Sequence, residues 1–314
     1  MEETLMNMCD LLMANFETLC RNYKLEETMN IAGAMILTNE HETADIERMK
    51  ACYNIIKRSE GIFSVYRNYM RIPVMTKMSM SDDPENYFEN LKAIKDELDR
   101  ERFLKSEYSV IAAMVLLEEA KYDEIGDYIE KTKAIYNKMK EEHSVLTSSN
   151  DTVFAALLAI SDIDVDNLLL EMEESYRLIK GKILFAESQE ISHILSLDMG
   201  SPGLKAEKFL DLYRLTKENH VTFGSGTDIN ALAALSLLDL DNREIIRLVS
   251  EMEQYLGGNR YFRGLHMMKS TRVVLAGMLL MKYCRPDDTL IDNIILYSCL
   301  AAAIAATAAA AAAA

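Results

Sequence analysis

The chain contains no tryptophan, only 4 prolines and only 12 glycines in 314 residues. Proline stops helices and glycine frees tight turns, so their scarcity leaves few obligatory breaks and no flexible linker. Cysteine is also sparse. Cys9, Cys20, Cys52, Cys284 and Cys299 are odd in number, widely spaced and never arranged as C-x-x-C. That excludes a disulfide framework and a cysteine zinc site, and leaves the thiols as small buried hydrophobes. No stretch alternates β-branched and polar residues with a period of two, so no strand is predicted. Positive charge is the remaining deficit: 34 Lys and Arg face 50 Asp and Glu, for a formal net charge of −16. Such a surface repels phosphate backbones and anionic lipid, which disfavours nucleic acid and membrane as partners.

Catalytic signatures are missing too. No G-x-S-x-G, H-E-x-x-H or G-x-x-x-x-G-K-[ST] occurs. Gly224-Ser225-Gly226 lacks a third glycine and a preceding strand, so it reads as a loop rather than a nucleotide cradle. Neither a cofactor nor a metal is expected. The start, Met1-Glu2-Glu3, has none of the basic and apolar character of a secretion signal, and a cytoplasmic protein is expected.

What is present favours helix. The hydrophobic fraction is 49 %, with 20 Met and abundant Leu, Ala and Glu. Apolar residues recur at spacings of three and four from the first residues onward, as in Leu5, Met8, Leu12, Phe16 and Leu19. Thr43 or Asp45 opens a helix reaching Arg58. Ser81-Asp82-Asp83-Pro84-Glu85 opens another, with proline early and acids in the first turn. Residues 61–71 turn the chain into a short helix at 73–79.

One small-residue motif recurs five times: Gly33-Ala34-Met35, Ala112-Ala113-Met114, Ala155-Ala156-Leu157, Ala233-Ala234-Leu235 and Ala276-Gly277-Met278. Ala34 and Ala113 lie 79 residues apart, Ala113 and Ala156 43, Ala156 and Ala234 78, and Ala234 and Gly277 43. This long-short alternation predicts an internal duplication of about 121 residues. Copy one covers about 25–146, copy two about 147–267, and a partial third 268–314. Tyr53/Tyr176, Phe88/Phe209 and Leu91/Leu212 keep the same register. Because the long interval is about twice the short one, the unit is a helical hairpin of about 40 residues. The expected fold is therefore all-α: a single domain over 1–314 forming an α-solenoid-like, HEAT-like array, with a closed α/α toroid as the alternative. The small centres read as packing seams.

Residues 294–314 carry no charge, and from Ala301 they are almost pure alanine. They predict a terminal helix, with a C-terminal tail anchor as the minor alternative.

Three constellations could carry chemistry. Asp82-Asp83 and Asp287-Asp288 each precede an expected helix, where carboxylates favour the N-terminal dipole. Glu190 and His193 lie three apart on one helix face, the spacing that helical di-iron sites use twice, but no second Glu-x-x-His exists here. Arg67 and Arg71, four apart among Phe63, Tyr66 and Tyr69, place two guanidiniums where they could clamp a carboxylate or phosphate. Arg67, Arg71, Glu190 and His193 are the candidate ligand-binding residues.

The phrases IIKRSEGIFSVYR, YSVIAAMVLLEE, LTSSNDTVFAALLAIS and ISHILSL together resemble a bacterial family of helical proteins, the domain of unknown function 4003. The resemblance covers roughly residues 5–290. It implies a helical cytosolic protein and carries over no activity, cofactor or functional residue. The reading with most support is a non-catalytic interaction scaffold that takes a protein or peptide. An enzyme or small-ligand binder using a cleft between helices is the alternative, and a tail-anchored protein a further one.

Overall fold

A computed structural model describes residues 1–24, 27–100, 107–119, 124–142, 151–160, 165–198, 200–223, 228–263, 267–288, 293–297 and 300. The glycine loop at 224–226, Cys299 and the alanine-rich residues 301–314 lie outside them. Everything regular among the described residues is helical apart from one isolated bridge between Lys180 and Ile183. No helix among them is long and apolar enough to cross a membrane.

The chain divides into two compact units. The first is built on Ala14–Asp162 and the second on Ile163–Ser298 together with Met1–Met13. Helix α1 (Glu3–Asn22) supplies residues to each.

In the first unit, α2 (Glu27–Asn39), α3 (Ile46–Ser59), α4 (Arg71–Met80), α5 (Pro84–Leu98), α6 (Glu107–Glu119), α7 (Ile125–Glu142) and α8 (Asp151–Ile160) follow in order. A 3-10 turn at Val65–Arg67 precedes α4. Local chemistry sets the starts. The Asp45 carboxylate accepts from the Arg48 amide at 2.9 Å, and Asp83 accepts from the Asn86 amide at 3.0 Å with Pro84 at the first helical position. The α2–α3 connection is fixed by buried Asn15 of α1. Its side chain donates to the Glu42 carbonyl at 2.9 Å and accepts from the Ala44 amide at 3.0 Å.

Two kinds of helix alternate. α3 and α5 bury one stripe each, Met49, Cys52 and Ile56 in the first and Phe88, Leu91, Ile94 and Leu98 in the second. Helix α8 is buried from Asp151 through Ala159 without interruption, and α4 from Ile72 through Thr76. An amphipathic helix can lie at a surface, whereas one apolar on all sides needs neighbours all round. The packing matches: α4 lies against α2 and α3, α6 against α5 and α8, and α8 against α6 and α7.

The second unit holds α9 (Val165–Ile179), α10 (Phe185–Leu195), α11 (Pro202–Glu218), α12 (Asp228–Leu235), α13 (Asn242–Gly257) and α14 (Lys269–Cys284), with a 3-10 turn at Arg260–Phe262. Here α9 packs on α11 and α11 on α13, while α10 packs on α12 and α12 on α14. Helices α9 and α10, and α13 and α14, also pair as sequential neighbours. The first residues of α1 join through Tyr255, whose hydroxyl donates to Asp10 at 2.8 Å.

The small-residue centres lie in helix–helix contacts. Ala34, Ala112, Ala113, Ala155, Ala156, Ala233, Ala234 and Ala276 are all fully buried. A methyl group on Gly33 would stand 2.8 Å from Ile72 in α4, and one on Gly277 would stand 2.9 Å from Leu235 in α12. At Gly33 and Gly277 the small residue thus sets the interhelical distance.

Candidate functional site

Arg67 and Arg71 lie in the first unit, Glu190 and His193 in the second. The two arginines do not share a helix face. Ser64 caps the short 3-10 turn that ends at Arg67, and the Asn68 side chain donates back to the Ile62 and Ser64 carbonyls, so the chain bends before Arg71 opens α4. Arg67 donates to the Glu60 carbonyl at 3.2 Å. The Arg71 guanidinium lies over the Tyr53 ring at 5.2 Å and the Tyr23 ring at 5.9 Å. Burial lowers its pKa, and a neighbouring Tyr23 phenolate acts against that shift. Arg67 and Arg71 thus engage different partners, a backbone carbonyl in one case and two tyrosine rings in the other.

Glu190 and His193 both belong to α10, and His193 is buried. Glu190 accepts from the Asn230 side chain of α12 at 2.7 Å. Glu187, Ser188, Gln189 and Ser192 are buried on the same helix and Ser196 at its C-cap, so α10 carries a polar belt where α8 is apolar from Val153 onward. Three of its serines satisfy themselves along the helix, Ser192 on the Gln189 carbonyl at 2.7 Å among them. No group of three His, Cys, Asp or Glu side chains placed to hold a metal occurs among the described residues.

The paired aspartates act as helix and loop ligands. Asp83 caps α5, and Asp288 is ion-paired with Arg285 at 3.3 Å.

A concave site forms elsewhere. In the first unit the end of α2, the end of α4, the start of α5 and the end of α6 enclose a cleft of about 540 Å³. Among the described residues, Glu40, Glu42, Asp83 and Glu118 line it with one cation, Lys77. Lys77 rises from α4, and its side chain is only 10 % exposed. Its ammonium lies 3.2 Å from Glu40 and 3.2 Å from Glu118. Tyr87 of α5 donates its hydroxyl to the other Glu118 oxygen at 2.8 Å. Burial alone would lower the Lys77 pKa, but Glu118 and Glu40 outweigh it and the net shift is upward. Tyr87 is pushed well above the ordinary phenol value by burial first and by Glu118 second. Asn86, Asn90 and Ser81 add neutral polar groups, and Met80 and Leu117 apolar ones. Lysine, tyrosine and two glutamates are thus fixed in register, while the lining among the described residues retains three more carboxylates than cations. Its chemistry suits an incoming cation of modest size.

Of the cleft residues only Ser81 and Asp83 belong to a stretch that the sequence singles out, and there they read as a helix start. Glu40, Lys77, Tyr87 and Glu118 are too far apart in sequence to form one. The available signal was Lys77 itself, the only charge inside the run Ile72–Met80.

The second unit carries a different construction. Arg285, just past α14, donates to Asp198 beyond α10 at 2.9 Å and to the Leu237 carbonyl beyond α12 at 2.6 Å. One guanidinium therefore gathers the C-terminal ends of three successive helices of one layer, α10 on α12 on α14, where orphan carbonyls collect. Lys208 of α11 adds a bond to the Leu238 carbonyl.

Together these features describe an all-helical protein of alternating surface and interior helices. The chain belongs to the family described as protein of unknown function (DUF4003), whose profile matches residues 15–309. No curated protein and no solved structure matches it.

Proposed function

We propose that this chain is a non-catalytic interaction scaffold of the cytoplasm, built from HEAT-like helical hairpins with an internal duplication of about 121 residues. The repeat reading is supported by alternate packing, α9 on α11 on α13 beside α10 on α12 on α14, with α3 on α5 on α7 beside α2 on α4 and α6 on α8 in the other unit. The observation that carries the scaffold role is the cleft of the first unit. A volume of about 540 Å³ with three carboxylates in excess suits a lysine or arginine side chain of a protein partner.

The test is fluorescence anisotropy of a labelled lysine-rich peptide titrated with the full chain, beside a peptide of the same pattern with glutamine for lysine. Saturable binding is expected for the first only, weakened by Glu42→Gln and Glu118→Gln. Equal binding of both peptides, or no loss in the variants, overturns the reading.

A second reading, a small-ligand binder, is supported by the buried polar belt of α10 with Glu190, His193 and Asn230. It predicts that a polar metabolite raises the melting temperature of the chain and that Glu190→Gln abolishes the shift.

A further inference from the structure

The second unit offers another surface, of opposite charge. Because Arg285 gathers the C-terminal ends of α10, α12 and α14, the starts of these helices lie at the other edge of the layer, about 12–24 Å away for helices of this length. At that edge Leu184 caps α10 and is 64 % exposed, and Met268 caps α14 and is 71 % exposed. Two large exposed apolar side chains thus stand at equivalent places on two helices of one layer.

Their surroundings are basic in an otherwise acidic chain. Exposed Lys180 and Lys182 precede Leu184, and exposed Arg260, Arg263 and Lys269 flank Met268. No Asp or Glu occurs between 175 and 186, nor between 254 and 286. Of the flanking carboxylates, Glu187 in the first turn of α10 is buried and Glu253 is ion-paired with Arg272, while Asp228 opens α12 between the two helices. Helix α12 lies between α10 and α14, which separates Leu184 from Met268 by about 16–20 Å. An extended segment of about six residues spans that distance.

We infer that this edge docks an acidic segment of a protein partner that carries apolar side chains. Its carboxylates face Lys182, Arg263 and Lys269, and its apolar side chains cover Leu184 and Met268. The assignment rests on the scaffold reading for its purpose, but uses residues and a charge sign distinct from the cleft. A bare phosphate backbone would leave the two apolar residues without a role, and the net charge of −16 opposes extended polyanions and anionic bilayers alike.

The probe is a short labelled peptide alternating aspartate or glutamate with leucine, titrated with the full chain at physiological ionic strength. Saturable binding is expected, weakened by about tenfold or more in Lys182→Glu/Lys269→Glu and again in Leu184→Ser/Met268→Ser. All four positions are exposed, and an unchanged melting curve shows that the variants are folded. Glu118→Gln leaves this binding intact, so loss of the lysine-rich peptide with retention of the acidic one separates the two surfaces. Absence of binding, indifference to both double variants, or preferential binding of phosphatidylserine vesicles or duplex DNA overturns the assignment.

Discussion

The side chain of Ile72 reaches to within 2.8 Å of the position that a β-carbon on Gly33 would occupy. Leu19 at 3.1 Å and Thr76 at 3.2 Å close the same space. Alanine favours a helix over glycine by about 1 kcal/mol, whereas overpacking costs about 1–3 kcal/mol. The Ile72 methyl branches from its own β-carbon and has little freedom to withdraw. Gly33→Ala is therefore destabilising, by about 1 kcal/mol in chemical denaturation.

Gly277→Ala should behave differently, although its contact is almost as short. The atom in the way is a terminal methyl of Leu235, at 2.9 Å, at the end of a flexible side chain. A small rotation relieves it, and the gain in helix propensity remains. The expected outcome is a stability equal to the parent chain or slightly above it. A loss as large as that of Gly33→Ala would show that the α12–α14 contact is the stiffer of the two.

Arg285→Ala removes bonds to Asp198, Asp288 and the Leu237 carbonyl together. Charge-assisted bonds at a partly buried position predict a loss of about 2 kcal/mol. Arg285→Lys, a point charge without the planar fork, recovers only part of it. Hydrogen exchange should rise together at the C-terminal turns of α10, α12 and α14.

The cleft predicts an alkaline transition. The Lys77 pKa is raised in the folded chain, so its contribution is complete below the ordinary lysine value of 10.5 and fades as pH climbs through the raised one. Tyr87, also raised, acts in the same direction above 10.0. Urea midpoints of the parent should therefore fall above pH 10 more steeply than those of Lys77→Met and Tyr87→Phe. Parallel curves would mean that the network adds nothing.

Thiol labelling reports the core directly. Burial, with Asp10 adding to it, pushes Cys9 up to about 12, and burial pushes Cys52 to about 11. Against the ordinary 9.0, these thiols hold roughly a thousandfold and a hundredfold less thiolate near neutral pH. Both should resist iodoacetamide in the native chain and react fully once it is unfolded.

Helix starts were readable because their causes are local. Asp45, Asp83 and Pro84 act within three residues of themselves, so the sequence shows both partners of each bond. The same locality misled at Arg67 and Arg71. Their spacing of four presumes a continuous helix, and the Ser64 and Asn68 bonds that break it there resemble ordinary surface polarity in a string of letters. Glu40, Lys77 and Glu118 come from three different helices, and nothing in the chain order says that their side chains meet. Interior helices were legible in another way: a run such as Val153–Ala159, without one charged residue, can belong only inside.

That interior character bears on how the chain is made. As α8 leaves the ribosome it has, beyond Asp151 and Thr152, nothing polar to offer water. Its neighbours α6 and α7 have already been synthesised. The same order holds for α4 after α2 and α3, for α12 after α10, and for α14 after α12 and α13. Each sticky segment therefore meets a waiting surface on emergence, and its exposure lasts seconds at ordinary rates of translation.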